Sequence, residues 1–345
     1  MQLQALFVLV TVTGAMALAL LPGSGDITAR ARDGNSRLER APLIHKVIHV
    51  GPGRNLTKPS EAAAIARTGD TIVLDAGTYN GCAVWPKGSD FLTIQSAGGP
   101  AVIAGPSCDY KGLFVIKGDH ITIRGLTFTG AAAPRHNGSG IRAEGRDLTI
   151  ESSQFLDNEE GILAASTPGS TIIVRDSLFK GNGNCIEACA HGIYVGQIAE
   201  LRVERSQFLA QSTGHHVKSR AQRTELTGNT IEDGATGTAS YLIDIPYGGA
   251  VVVRNNSLEK GPLSENPAVA IIIGEEGLAN ATPQIIIEDN VFKNDLPKET
   301  VFVRNHTETV AVLRGNDLSG LVKPLEGPGT VDDEIAASAR IVVSP

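Results

Sequence analysis

The chain has 345 residues, of which 41% are hydrophobic and 19% charged, a composition typical of a globular protein with enough apolar residues for a large core. Its formal net charge of -7 excludes the basic field of a general nucleic-acid-binding protein, but it allows a local basic groove for an acidic polymer. The 39 glycines cluster with asparagines at intervals along the chain, a pattern that favours an all-β architecture rich in turns.

The first 21 residues carry a targeting signal. Residues 5–21 are apolar and uncharged, and the small residues Ala15, Ala17 and Ala19 suit cleavage by a signal peptidase. We predict a signal peptide, with an uncleaved N-terminal anchor as the alternative, because the run approaches the length that spans a bilayer. The protein is therefore expected to be secreted or periplasmic, and to contact a membrane only if the segment is uncleaved. Residues 22–44 are polar and arginine-rich, which indicates a linker.

Four cysteines, an even number, fit an exported chain with disulfides. Cys185 and Cys189 are close enough in sequence to close a small loop, and Cys82 is a candidate partner for Cys108, although four cysteines allow three pairings. A structural zinc site is the alternative interpretation. The spacings match no common zinc template and no second histidine lies close to His191, so we predict no metal at these residues.

Residues 45–81 predict an N-terminal cap for a stack of β-coils. A short strand is expected over residues 47–50, a helix over residues 59–67 with Ser60 as its cap, and a second strand over residues 71–74. A solenoid needs such a cap because its first coil would otherwise expose its core and its backbone edge.

From residue 120 onward the chain repeats one pattern. An apolar anchor ends a β-branched strand every 23 to 34 residues, with no helical periodicity, which predicts a β-solenoid. The anchors are Phe128, Phe155, Phe179, Phe208, Ile231, Leu258, Phe292 and Leu318. An asparagine stands two residues before four of them and predicts a ladder of side-chain hydrogen bonds along the axis, formed by Asn229, Asn256, Asn290 and Asn316.

Each period also contains a second strand. Its members are expected to stack one apolar side chain inward as a single column, made of Ile141, Ile162, Ile193, Val217, Ile243, Ile271 and Val301. The two strand sets together predict a single-stranded right-handed parallel β-helix over residues 45–320, expected to be a monomer. Residues 321–345 lose the pattern and are expected to form a C-terminal cap or tail.

Residues 214–221, with the sequence GHHVKSRA, concentrate positive charge in an acidic chain. Read as a regular strand, they place His216, Lys218 and Arg220 on the solvent face. Parallel stacking then brings Tyr194 from the coil before and Asp244 from the coil after into the same patch. His215 is expected to point inward as a hydrogen-bonded core or turn residue.

The repeat, with its GI-x-V/A strands and asparagine turns, resembles the pectate-lyase-like parallel β-helix superfamily, as does the cap motif GDTIVLDAGTY at residues 69–79. Polysaccharide lyases, polygalacturonan-type hydrolases, mannuronan epimerases and adhesin-like proteins make up most of that superfamily. Lys218-Ser219 followed by residues 228–231 is similar to a segment of the chondroitinase B and alginate lyase branch. That resemblance implies Lys218 as a catalytic base. The branch's partner arginine would fall within residues 244–248, which contain neither Arg nor His.

The charged patch is suited to β-elimination on an acidic polysaccharide. The reaction requires a neutralised substrate carboxylate, a base for the adjacent proton and an acid for the leaving oxygen. We expect Arg220 or His216 to bind the substrate carboxylate and Tyr194 to act as the acid. Lys218 is expected to act as the base, with its pKa lowered by its cationic neighbours.

A second group of residues is assigned to substrate binding, namely Asp244, Tyr247 and His215. Asp244 is also a candidate for orienting Lys218 or for joining a calcium site, so calcium is the one candidate cofactor. The alternative hypothesis is a non-catalytic glycan-binding or structural protein of the cell envelope that uses the same face. The two hypotheses differ in whether the acidic polysaccharide is only bound or also cleaved.

Overall fold

A computed structural model describes residues 45–332, which form a parallel β-solenoid of about 11 turns and confirm the predicted fold class. The predicted targeting segment, the linker as far as residue 44 and the tail from residue 333 lie outside the described residues. In chain order the strands are β1 (Val47–Val50), β2 (Thr71–Asn80), β3 (Ala83–Trp85), β4 (Thr93–Ala104), β5 (Gly112–Ile116), β6 (Ile121–Arg124), β7 (Leu126–Thr129), β8 (Ser139–Ala143), β9 (Leu148–Glu151), β10 (Gln154–Leu156), β11 (Glu160–Ala164), β12 (Thr171–Arg175), β13 (Leu178–Lys180), β14 (Ile193–Val195), β15 (Glu200–Glu204), β16 (Gln207–Leu209), β17 (Val217–Ser219), β18 (Arg223–Thr227), β19 (Thr230–Glu232), β20 (Ile243–Ile245), β21 (Ala250–Arg254), β22 (Ser257–Lys260), β23 (Val269–Ile273), β24 (Ile285–Glu288), β25 (Val291–Asn294), β26 (Thr300–Asn305), β27 (Ala311–Arg314), β28 (Asp317–Ser319), β29 (Val322–Glu326) and β30 (Gly329–Val331).

The strands pair in register with the strand one coil away, always in parallel, and so build three faces. Two faces are joined through the long strands β2 and β4; one continues through β6, β9 and every third strand to β30, and the other through β7 to β28. The third face is a separate sheet that runs from β3 and β5 through β8, β11, β14, β17, β20, β23 and β26 to β29. This separate sheet carries residues 217–219 and is called the site face below.

A short helix, α1 (Pro59–Ile65), covers the first coil. Proline at its start suits the fixed backbone angle of the first turn, and the Glu61 carboxylate accepts the backbone N–H groups of Thr57 at 2.7 Å and Lys58 at 3.0 Å. Ala62 and Ala63 are buried against the core. The helix is therefore capped at Lys58 rather than at Ser60, because the Glu61 side chain reaches back over the free N–H groups.

The apolar anchors form one continuous column in the core. Phe128, Phe155, Phe179 and Phe208 are aligned by strand register, and the last three rings stack with centroids 4.6 Å apart. The four carry almost no exposed surface. Identical side chains repeat at the coil spacing, so each ring packs on the ring one coil away.

The predicted asparagine ladder is confirmed. The side-chain amide of Asn229 donates to Asn256 at 3.0 Å, Asn256 donates to Asn290 at 2.9 Å, and Asn290 donates to Asn316 at 2.8 Å. The backbone N–H of each also donates to the next carboxamide oxygen. Buried amides therefore satisfy one another along the axis.

Two details differ from the sequence expectation. In the inward column of the site face, Ile271 is followed by Val303, whereas Val301 pairs with Val269 in a separate apolar cluster on the outside of the sheet. The coil also continues beyond Ser319, because β29 and β30 pair with β26 and β27. Pro324 interrupts the repeat pattern, so this last coil was not predicted from the sequence.

Cys82 is bonded to Cys108 and Cys185 to Cys189, and no free cysteine remains among the described residues. The first bond closes the connection between β4 and β5 against the preceding coil, and the second closes a tight loop before β14. Within residues 45–332, no helix has the length and apolar character that crossing a bilayer requires.

Candidate functional site

Strand register places a row of outward side chains along the site face. Lys218 is paired with Tyr194 in the coil before and with Asp244 in the coil after. The row continues through Leu163 to Arg142 in one direction, each step being one coil of about 4.8 Å. The structure thus brings Tyr194, Lys218 and Asp244 side by side.

The expectation that His216 faces solvent is wrong. Its side chain is buried, and its Nε2 lies 3.0 Å from a carboxylate oxygen of Asp233. The chain bends before β17, so His216 and Val217 both point inward instead of alternating. Leu242 occupies the same level one coil later, where it belongs to the core.

The same bend turns His215 outward, also contrary to expectation. His191, His215 and Tyr241 form a stacked column beside the Lys218 row, with ring centroids 4.7 and 4.9 Å apart. The Nδ1 of His191 accepts the backbone N–H of His215 at 3.0 Å, and the Nδ1 of His215 accepts the backbone N–H of Tyr241 at 3.2 Å. Because Nδ1 is an acceptor in both rings, each neutral imidazole carries its proton on Nε2.

Glu160 lies next to His191 at the start of this column and is fully buried. Burial raises its pKa well above the ordinary value, although a hydrogen bond from the His191 backbone and the charge of Arg142 act to lower it. The Glu160 Oε1 has no hydrogen-bond partner. Burial, together with the positive charge of Lys218, lowers the pKa of His215 to about 3. His215 is therefore a neutral donor whose Nε2 lies 3.4 Å from an Asp244 oxygen.

Lys218 is held between two carboxylates. Its Nζ lies 2.8 Å from Asp244 Oδ2 and donates to Glu276 Oε1 at 2.8 Å. Burial alone would lower the Lys218 pKa, but the charges of Asp244 and Glu276 outweigh it and leave the pKa above its ordinary value. The expected lowering of this pKa is therefore wrong, because the carboxylates, and not Arg220 or His216, are its nearest charged neighbours.

Asp244 lies beneath Lys218 and is fully buried. Burial raises its pKa to about 6, and the attraction of Lys218 limits the rise. Its Oδ1 has no hydrogen-bond partner. Since its side chain has no exposed surface, Asp244 acts on Lys218 rather than on a ligand in solvent.

Arg220 reaches the Glu276 carboxylate from the side opposite Lys218. Its guanidinium hydrogen-bonds to Glu276 and lies between two aromatic rings, 5.1 Å from the Tyr194 centroid and 4.9 Å from the Tyr247 centroid. Cation–π contacts of this kind hold the guanidinium plane in one orientation. Lys218 and Arg220 therefore converge on one point above the sheet.

Glu276 was not assigned to this site from the sequence, although it closes the site. It lies in the connection after β23, two coils beyond Lys218. The neighbouring Glu275 accepts a hydrogen bond from the Tyr241 hydroxyl at 3.2 Å. Asn280 in the same connection donates to the backbone carbonyls of Arg220 and Ala221 at 3.2 and 3.0 Å. A Gly-Glu-Glu-Gly stretch after an apolar strand was the only sequence signal for this contact.

The arrangement holds one carboxylate between two cations. An ammonium and a guanidinium, backed by buried Asp244 and flanked by Tyr194 and Tyr247, bind a carboxylate group on an otherwise acidic protein. Such charge-assisted pairs are the strong class of hydrogen bond. In the structure the carboxylate is the chain's own Glu276.

A family model described as "Periplasmic copper-binding protein (NosD)" matches residues 65–258. Among solved structures, the chain is similar to the alginate lyase from Paenibacillus sp. str. FPU-7, with 21% identity, a TM-score of 0.52, and coverage of 83% of this chain and 99% of that one. It is also similar to pectate lyase Pel9A, with 14% identity, a TM-score of 0.51, and coverage of 81% and 78%. These identities show a shared fold. No curated protein sequence matches the chain.

Proposed function

The chain belongs to the NosD family of periplasmic copper-binding proteins, whose pattern covers more than half of it, and we propose that it binds an acidic polysaccharide on the site face. The family is described as periplasmic, and the sequence of residues 1–21 supports export. Both support a location in which envelope and extracellular polysaccharides occur.

A single observation carries this proposal: Lys218 and Arg220 bind the same carboxylate, that of Glu276. The carboxylate of a uronate sugar has the same geometry and charge, so it can occupy the same donors. Tyr194 and Tyr247 on either side of Arg220 offer apolar ring faces to the sugar. Together these groups provide the charge and the surface that recognise an acidic sugar.

Glu276 must give way for a polymer to bind. Its side chain is 35% exposed and lies on a connection rather than in a strand, so it can move without opening the core. The two cations exchange one carboxylate for another, so the ion pairs are conserved. Additional contacts between the polymer and the rest of the face then favour the exchange.

Copper is implied by the family description but does not fit the residues of the site. The Nδ1 atoms of His191 and His215 accept backbone N–H groups, which leaves protonated Nε2 atoms that cannot ligate a metal. The cysteines within residues 45–332 are in disulfides. Across that same range no group of three His, Cys, Asp or Glu side chains is arranged to hold a metal ion. Neither copper nor calcium therefore enters the proposed mechanism.

A second candidate function is cleavage of the bound polymer by β-elimination, which the position of Tyr194 beside Lys218 favours. Lys218 and Arg220 would stabilise the charge that develops on the uronate carboxylate as carbon 5 loses its proton. Tyr194, as phenolate, would take that proton and return it to the leaving oxygen as the bond from carbon 4 breaks and a carbon–carbon double bond forms. Lys218 stays protonated throughout because of Asp244.

The first experiment measures binding of the mature protein to alginate, pectate, hyaluronan and chondroitin, with an uncharged glucan for comparison. At least one acidic polymer should bind, the glucan should not, and Arg220→Gln should weaken binding about tenfold, the loss of one charge-assisted contact. The matched control is Arg175→Gln on another face, where Arg175 pairs with Glu204 at 3.1 Å. Equal binding by Arg220→Gln and the native chain would overturn the proposal.

The same mixtures decide between binding and cleavage. Elimination produces a double bond conjugated to the carboxylate, which absorbs in the ultraviolet. Rising absorbance that is absent in Tyr194→Phe supports the lyase. Binding without any rise, at equal protein concentration, restricts the function to glycan binding.

A further inference from the structure

We propose that the site face contains a second anionic-sugar site, in the cavity around Arg142 and Tyr110, so that one polymer chain binds at both places. The cavity has a volume of about 570 Å³ and is lined by Asp109, Tyr110, Lys111, Pro134, Arg135, Asn137 and Arg142. This inference rests on the proposed function, because it takes the same class of ligand, an acidic sugar. The residues involved are separate from the Lys218 site.

The cavity is positively charged. Three of its lining residues are cationic and one is acidic. The acidic residue, Asp109, is paired with Lys117 at 3.1 Å, and the carboxylate of Glu144 pairs with both Lys111 and Arg142. Arg135 is exposed and has no ion-pair partner within residues 45–332. The Nε of Arg142 is buried, makes no hydrogen bond and lies 3.5 Å from the carboxylate of Glu144, with which Arg142 forms an ion pair. An incoming anion would therefore meet one cation without an ion-pair partner, Arg135, in a cavity whose cations outnumber the carboxylates beside them.

Tyr110 provides the apolar element of the cavity. Tyr110 is 77% exposed, which is unusually high for an aromatic residue. Its backbone is held in the left-handed region with a φ of 54°. Exposed aromatic rings beside a few polar groups are characteristic of sites that bind small molecules and sugars. Tyr110 thus gives a sugar ring a surface on which to stack.

Both walls of the cavity are held by specific bonds. The wall that carries Tyr110 is held in place by the disulfide between Cys82 and Cys108. The Arg135 wall is tied to Glu159, whose Oε2 accepts the backbone N–H groups of Ala133 and Gly138, each at 2.8 Å. A wall restrained in this way loses little conformational entropy when a ligand binds.

Strand register relates this cavity to the Lys218 site. Arg142 pairs with Leu163, Leu163 with Tyr194, and Tyr194 with Lys218, so Arg142 lies three coils from Lys218 in one row. Three coils correspond to about 14 Å along the axis. A single extended oligosaccharide can span that distance along the site face, whereas a disaccharide reaches one site only.

The test uses acidic oligosaccharides of two lengths, one too short to span both sites and one long enough. The double variant Tyr110→Ala, Arg142→Gln should lose tenfold or more in affinity for the long ligand, because linked sites add by effective concentration. Its affinity for the short ligand at the Lys218 site should be unchanged. Arg124→Gln, with Arg124 paired to Glu151 on another face, is the matched control.

Combination with Arg220→Gln separates this inference from the proposed function. If Arg220→Gln retains long-chain binding that the added double variant removes, the cavity binds the sugar and the Lys218 site does not. If the double variant binds long chains as tightly as the native protein does, the second site is refuted while the first stands. If no acidic oligosaccharide binds the native protein, both are refuted.

Discussion

The carboxylate of Glu276 accepts a hydrogen bond from the ammonium of Lys218 at 2.8 Å, although the two residues are separated by two coils. The contact joins a strand of the site face to a surface connection, and it fills the place where we propose that a ligand carboxylate binds. The chain therefore competes with its own ligand. The strength of this competition determines how easily the site opens.

Replacing Glu276 by glutamine should tighten the binding of acidic polysaccharide by about tenfold, or about 1.4 kcal/mol, because an uncharged amide competes less for Lys218 and Arg220. Titration of labelled polymer measures the change. Glu275→Gln is the matched control, since Glu275 contacts Tyr241 instead. Unchanged or weaker binding by Glu276→Gln would mean that Glu276 does not occupy the ligand position.

Replacing Lys218 by alanine should destabilise the protein by about 3 kcal/mol, because it leaves the buried Asp244 without its cation. The midpoint of urea unfolding measures the loss at neutral pH. A second change, Asp244→Asn, should recover most of it, since no buried charge then remains unpaired. If the double variant is no more stable than Lys218→Ala, the Asp244 charge is not the cause.

Replacing His215 by glutamine should make the protein less sensitive to acid. The pKa of His215 is lowered from 6.5 to about 3, so the unfolded chain binds a proton that the folded chain excludes, and stability is lost as the pH falls below 6.5. At about pH 5 the contribution of His215 lowers the free energy of unfolding of the native protein by about 2 kcal/mol. The variant lacks this contribution.

Unfolding curves near neutral pH and at about pH 5 measure this difference, with each protein compared to itself. Asp244, with a pKa raised from 3.8 to about 6, acts in the opposite direction, because its folded form binds the extra proton and loses stability as the pH rises through that window. That contribution is present in both proteins. An equal acid response in the two would contradict a neutral His215 in the fold.

Replacing Asn256 by alanine should cost about 3 kcal/mol. It removes the bonds that Asn256 makes with Asn229 on one side and Asn290 on the other, and leaves buried amide groups without partners. Thermal unfolding measures the effect. The matched control is the neighbouring Asn255→Gly, which is compatible with the φ of 54° at that position and lies outside the ladder. Similar losses in both variants would show that the ladder contributes no more than the turn itself.

The architecture follows from the repeat pattern of the amino-acid sequence. The spacing of Phe128, Phe155, Phe179 and Phe208 and the asparagine before Ile231 require one coil per period, since only stacked coils bury such anchors in one column. Because coils stack in register, the same spacing also placed Tyr194 and Asp244 beside Lys218. Periodicity carries this information because it depends on local backbone geometry.

The set of side chains that share the site follows from packing that the repeat pattern does not specify. A bend before β17, which no strand periodicity encodes, exchanged the orientations of His215 and His216. Glu276 reaches Lys218 across a separation of 58 residues through a connection whose path follows from packing. The pKa of Lys218 depends on Asp244 and on that contact, because the charges around a buried ammonium, and not its neighbours in sequence, determine its protonation.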